Sequence, residues 1–186
     1  MADDNFYMKQ ALHEAQRAFE RGEVPVGAVV VCRDRIIARS HNLTETLNDV
    51  TAHAEMQAIT AAANYLGGKY LADCTLYVTV EPCVMCAGAI AWSQMGRLVF
   101  GATDEKRGYQ RYAPNALHPK TAVLQGVLAD ECASLMKNFF KKRREELLHF
   151  FKFYIFPFVV AKNLFLSLSG RSGCTLIGSL ITASVR

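Results

Sequence analysis

Two kinds of apolar patterning alternate along the chain: residues recurring at three- and four-residue steps, and short continuous blocks rich in β-branched side chains. Met8, Leu12, Ala15, Ala18 and Phe19 follow helical spacing across residues 3–21, with Asp3 or Asp4 as a cap and Gly22 as a stop. Residues 26–32 are a β-branched apolar run. Residues 36–40 resume strand character after the polar Arg33-Asp34-Arg35, which predicts a hairpin. A second helix is predicted from Thr51 through Met56, Ile59 and Ala63 to about Tyr65, where Gly67-Gly68 stops it. Residues 75–79 predict a short buried strand.

Pro82 suits the first turn of a third helix running to about Ser93, because its missing N–H would have no intrahelical partner there. Residues 97–100 predict a fourth strand closed by Gly101. Residues 102–121 are polar, contain Pro114 and Pro119, and form the longest predicted loop. A fifth strand is expected at 123–126. A last amphipathic helix over 129–146 places Cys132, Leu135, Met136, Phe139 and Phe140 on one face. Together these elements predict an α/β fold, a mixed five-stranded sheet with helices on both faces. No internal repeat is present.

At 186 residues the chain accommodates one sizeable domain, and 51% hydrophobic with 20% charged residues describes a globular protein. The pattern places that domain at residues 1–146 and leaves 147–186 as an atypical hydrophobic tail. Residues 150–160 are almost continuously aromatic or apolar. Lys152, Pro157, Lys162 and Asn163 interrupt the segment, however, and no stretch of about 18 residues is free of charge, so a membrane span is disfavoured. The net charge of +4 permits a nucleic-acid partner without requiring one. The basic run Lys141, Lys142, Arg143 and Arg144 ends the last helix. The acidic start lacks the basic and apolar regions of a secretory signal, so the expected location is the cytoplasm. Six cysteines there are expected to be thiols or metal ligands, and only Cys83 and Cys86 have a recognisable spacing.

His53-Ala54-Glu55 and Pro82-Cys83-Val84-Met85-Cys86 supply one imidazole, two potential thiolates and one carboxylate, in the order of the zinc deaminase motif. A Cys-x-x-Cys pair alone is equally compatible with a core pair or a structural clip; the full set favours a catalytic centre. Three protein ligands, His53, Cys83 and Cys86, leave a fourth position of a tetrahedral Zn2+ open for water. Two thiolates neutralise the ion, so the water gains less acidity than at an all-histidine site, and Glu55 becomes useful as a separate base. Residues at i and i+2 of a helix diverge by roughly 200°, so His53 and Glu55 must sit at a helix mouth.

With these residues in place, the chain resembles the cytidine and deoxycytidylate deaminase superfamily, and more narrowly the bacterial tRNA adenosine deaminase family. The resemblance covers roughly residues 5–146. It runs through Glu23-Val-Pro-Val-Gly-Ala-Val, Thr51-Ala-His-Ala-Glu, Leu76-Tyr-Val-Thr-Val-Glu-Pro-Cys-Val-Met-Cys-Ala-Gly-Ala-Ile, Val99-Phe-Gly-Ala and Gly126-Val-Leu-Ala-Asp-Glu-Cys. It implies a three-layer α/β/α cytidine-deaminase-like fold, a homodimer, one Zn2+ per subunit, and hydrolysis of the wobble adenosine in a tRNA anticodon stem-loop to inosine. In the implied mechanism Glu55 takes a proton from a zinc-activated water that attacks the flipped adenine, and returns protons to the ring and the leaving ammonia.

The resemblance also implies substrate-binding roles. The backbone N–H at Ala54 would face the base. Asn42 would bind ribose or base, with a turn-forming Asn at a strand end as the alternative. Asp104 would lie near the flanking ribose, or else be a solvated loop residue. Pro25, Val26 and Ala28 would line the pocket, while by themselves they are ordinary strand residues. Phe139, Phe140, Lys142, Arg143 and Arg144 would lie near the anticodon loop, though a basic last turn also suits a helix dipole. Lys106-Arg107-Gly108-Tyr109-Gln110-Arg111-Tyr112 departs from many relatives. Arg107 there is a candidate RNA contact or part of a solvated loop. The chemistry alone leaves open a free-base or nucleotide deaminase, such as a guanine deaminase, and a catalytically silent zinc-containing RNA-binding subunit.

Overall fold

The computed structural model describes residues 3–150. By packing, the chain divides into two units, Met1–Phe140 and Lys141–Arg186, and the fold below is that of the first. Its elements run α1 (Asp4–Glu20), β1 (Gly27–Cys32), β2 (Arg35–His41), α2 (Ala54–Leu66), β3 (Cys74–Val80), α3 (Val84–Trp92), β4 (Arg97–Ala102), α4 (Tyr109–Tyr112), β5 (Ala122–Gln125) and α5 (Ala129–Phe150). Five strands in the order β2-β1-β3-β4-β5 make one mixed sheet. β1 is antiparallel to both β2 and β3, and β3, β4 and β5 are parallel.

Why β1 reads as an unbroken apolar run is visible in its position: all six of its residues are buried, because both faces of the sheet are covered. Ala28 and Val30 join Leu76, Val78, Leu98 and Phe100 on one face, packed against Ala54, Ala58, Ala62, Ala87 and Ile90. Val29 and Val31 turn the other way with Tyr77 and Val99, to meet Tyr7, Met8, Ala11 and Cys132. The strand period of two thus sends alternate side chains to two cores, with α2 and α3 over one face and α1 and α5 over the other. This is the expected three-layer α/β/α arrangement.

Local signals behave as their chemistry requires. Asp3 caps α1 by accepting from the Phe6 N–H at 2.8 Å. Gly67 ends α2 in the left-handed region at φ 65°. The β1–β2 turn places Arg33 and Asp34 at φ 49° and 59°, the backbone twist that a two-residue hairpin needs. Polar links then seat α1 on the sheet. His41 Nδ1 bonds the buried Glu14 carboxylate at 3.1 Å, and Arg97 grips Asp4 with two hydrogen bonds of 2.7 and 2.8 Å.

Several expected boundaries shift. α2 begins at Ala54 rather than Thr51, α3 begins at Val84 with Pro82 ahead of its cap, and β4 continues through Gly101 to Ala102. The predicted loop 102–121 contains a short helical turn, α4, and the fifth strand lies at Ala122–Gln125. The last helix continues past Glu146 to Phe150 without a break. Among the described residues no helix is long and apolar enough to cross a membrane. Residues 151–186, most of the expected tail, lie outside the described residues.

Gly27 shows how closely α1 sits on β1: a Cβ there would meet the backbone of Ala11 and Ala15. Gly27→Ala should therefore destabilise the protein by about 3 kcal/mol or more, measured by urea unfolding, because helix backbone cannot yield as a side chain does.

Candidate active site at two helix N-termini

Strand β3 ends at Val80, and the chain passes through Glu81 and Pro82 directly into Cys83, the N-cap of α3. Cys83 is extended, at φ −73° and ψ 172°, while Cys86 lies within the first helical turn. From the neighbouring helix His53 occupies the same role: it is the extended N-cap of α2, at φ −71° and ψ 153°. This resolves the divergence expected of His-x-Glu. His53 stands outside the helix and Glu55 inside it, so the 3.6-residue period does not separate them. Two helix N-termini converge, and each brings partial positive charge toward thiolates and a carboxylate.

The His53 Nδ1 lies 3.7 Å from Cys83 Sγ and 3.5 Å from Cys86 Sγ, and the three donor atoms all fall within 4.8 Å of one another. Usual zinc bond lengths at a tetrahedral angle put nitrogen and sulfur about 3.6 Å apart, so the donors are spaced as one metal ion requires. No other such group of three or more occurs among the described residues.

Cys83 and Cys86 share their protons unequally. The Cys86 thiol and the His53 imidazole, partly offset by burial, hold Cys83 at about 4, while Cys86 is driven far up by the neighbouring Cys83 and by burial. His53 is raised, chiefly by its hydrogen bond to Cys83, with burial opposing. Glu55 is 3% exposed, and burial pushes its carboxyl above the usual carboxylate range, partly offset by its own backbone N–H and by His53. Its Oε2 meets no hydrogen-bond partner among the described residues. A buried carboxylate oxygen of this kind, beside three metal donors, is suited to a ligand proton.

Asn42, at the end of β2, is buried and accepts from the Ala54 N–H through Oδ1 at 2.9 Å. That donor fixes the amide orientation and directs the NH2 end elsewhere. Ser40 Oγ donates to the Ala54 carbonyl at 2.7 Å, and Gln57 Nε2 donates to both His41 and Ala52 carbonyls. Asp104 folds its own loop: Oδ1 accepts from the Lys106 and Arg107 N–H groups at 2.9 and 3.0 Å. Arg107 is exposed on that loop. Lys142, Arg143 and Arg144 are exposed on α5.

Sequence reasoning gave no role to two buried carboxylates. Glu23, fully buried, accepts from Thr44 Oγ1 and from the Glu45 and Thr46 N–H groups, fixing the loop that leads to His53. Burial opposes its ionisation, but these hydrogen bonds prevail and hold it below its ordinary value. Glu81 accepts from the Asp104 N–H and the Gln110 N–H, both at 3.0 Å. An acidic residue beside a strand's apolar run was the available signal in each case.

Fold and site together define a deaminase domain. A model of the MafB19-like deaminase family matches residues 2–144, and the chain belongs to that family. It is similar to the tRNA-specific adenosine deaminase of Bacillus subtilis (strain 168), 46% identical over 151 residues, covering 78% of this chain and 94% of that protein. The protein of that name from Aquifex aeolicus (strain VF5) is 44% identical, covering 77% and 97%. Among solved structures, one from work on A-to-I editing by tRNA:A34 deaminases at the wobble position of transfer RNA has a TM-score of 0.66 and 45% identity, covering 70% of this chain and 98% of that one. A guanine deaminase from Nitrosomonas europaea has a TM-score of 0.67 at 26% identity, covering 75% and 85%.

Two outcomes are expected. In metal-free protein, iodoacetamide should alkylate Cys83 at a rate nearly flat between about pH 6 and 8, followed by peptide mass spectrometry; an ordinary thiol would accelerate about tenfold per pH unit. Glu23→Gln should cost about 2 kcal/mol at neutral pH. Because the folded pKa of Glu23 is depressed, its contribution is present above the ordinary value of 4.5 and is lost as pH falls through the lower folded value. Urea titrations of both proteins should therefore converge in acid.

Proposed function

We propose that this protein hydrolytically deaminates the wobble adenosine of a tRNA anticodon loop to inosine, with one Zn2+ held by His53, Cys83 and Cys86 and with Glu55 as the proton carrier. The observation that carries the chemistry is the buried Glu55 Oε2, without a hydrogen-bond partner among the described residues, beside three donor atoms at metal-binding spacing. The kinship with tRNA-specific adenosine deaminases carries the substrate.

A zinc ion held there supplies a Lewis acid that eases deprotonation of water at neutral pH. Glu55 accepts the proton of the attacking water, passes it to the adenine ring nitrogen, and later delivers a proton to the departing amine, so that adenosine and water give inosine and ammonia. Burial, by raising the affinity of Glu55 for that proton, lets it hold the proton between the two transfers. Asn42 offers its NH2 group to the base or ribose, since Oδ1 is taken by the Ala54 N–H; Ala54 thus acts through Asn42. Asp104 and Arg107 border the substrate on the 104–110 loop, and Arg107, Lys142, Arg143 and Arg144 are cationic candidates for phosphate contact.

The exposed apolar side chains Val84, Met85 and Trp92 on α3, with Trp92 86% exposed, support a homodimer formed through this helix. The proposed location is the cytoplasm, where tRNA is edited.

Assays on an anticodon stem-loop, adenosine, cytidine and guanine test the substrate. Inosine formed in the stem-loop alone is the expected result, and preferential turnover of free guanine would overturn the reading. Glu55→Ala should lower kcat by about 10³-fold while elemental analysis finds zinc retained.

A further inference from the structure

Glu81 bridges both ends of one loop with a single carboxylate. Oε2 accepts from the Asp104 N–H and Oε1 from the Gln110 N–H, while Glu81 itself is only 6% exposed. Within the segment so closed, Asp104 satisfies the backbone: its side chain takes the Lys106 and Arg107 N–H groups, and its carbonyl takes that of Gly108 at 2.8 Å. The loop then lies along the metal site. Gly108 pairs with Cys83 in an isolated bridge, and the Tyr109 N–H donates to the Pro82 carbonyl at 2.9 Å. A side chain at Gly108 has no room, since a Cβ would strike the Glu81 carboxylate and the Asp104 carbonyl.

From this geometry we infer that Glu81 is a positioning residue: it sets the shape of the 104–110 loop, and through Asp104 and Arg107 it governs substrate affinity rather than the chemical step. The inference rests on the tRNA-editing reading above. Cys83 and Cys86 are placed by α3 itself, and His53 and Glu55 by α2. The loop meets the metal donors through backbone contacts, the Gly108–Cys83 bridge and the Tyr109–Pro82 hydrogen bond, and a change of the Glu81 side chain removes neither. Glutamine at 81 has the same shape but one acceptor oxygen, so its NH2 must face one of the two N–H donors, and that end of the loop is released. Alanine at 108 disturbs the same loop from the opposite side.

The test uses the zinc-loaded full chain, the anticodon stem-loop as substrate, and Glu81→Gln, Gly108→Ala and the double variant. Each single variant should raise KM by about tenfold with kcat within about twofold and zinc content unchanged. The double variant should exceed the larger single effect only slightly, because both act on one loop. A fall in kcat at unchanged KM, loss of zinc, or fully additive effects would overturn the inference. If the wild-type chain itself leaves the stem-loop unedited, the functional reading falls; if it edits and the variants match it, only the role of Glu81 falls.

Discussion

Everything in the site depends on bringing a histidine nitrogen and two cysteine sulfurs to within 4.8 Å of one another from separate helices. The sheet makes this possible. β3 runs into α3 with only Glu81, Pro82 and Cys83 between, and α3 returns to β4 parallel to β3, so the N-terminus of α3 sits at the carboxyl end of its strand. In α/β sheets that is where ligands bind, because strand ends and helix N-termini open there. α2 packs over the same face, and small side chains at Ala54, Ala58, Ala62 and Ala87 belong to its shared core. Bulkier residues at these positions would hold the two N-termini apart.

The electrostatics follow from the same convergence. Thiolates and a buried carboxylate would repel one another, yet each helix end presents partial positive charge. Cys83 is held low by the Cys86 thiol and the His53 imidazole, against the opposing effect of burial, while the Glu55 carboxyl is pushed up by burial. A thiol of low pKa and a carboxyl of raised pKa thus arise side by side from the same few residues. Around them, Glu23 fixes the approach to His53 and Glu81 fixes the loop beside Cys83, each by accepting backbone N–H groups that would otherwise be unpaired.

Much of the fold is legible in the chain. The double-sided burial of β1 explains its unbroken Gly27–Cys32 apolar run, and Asp3, Gly22 and Gly67-Gly68 mark helix ends through capping and left-handed backbone. The starts of α2 and α3 are less legible. Thr51 and Pro82 are good helix-start residues, but each helix begins only after an extended N-cap, His53 or Cys83, because these two side chains must point across to each other rather than along a helix. The α4 turn within 102–121 was hidden because its ordering comes from Glu81, 29 residues before Gln110, and not from local periodicity.

The sequence by itself determined which atoms can do chemistry. His-x-Glu and Pro-Cys-x-x-Cys name the donors and the carboxylate, and the family motifs reach from Glu23 to Cys132. Local chemistry also determined the helices and strands that carry them, since propensity and periodicity act over a few residues. Only the tertiary structure decided that His53 caps its helix while Glu55 begins it, that Asn42 turns its carbonyl to Ala54, and that two carboxylates hold the bordering loops. Those choices depend on hydrogen-bond partners far apart in the chain, and a buried N–H or carboxylate finds its partner only when the sheet and its two layers of helices have closed around it.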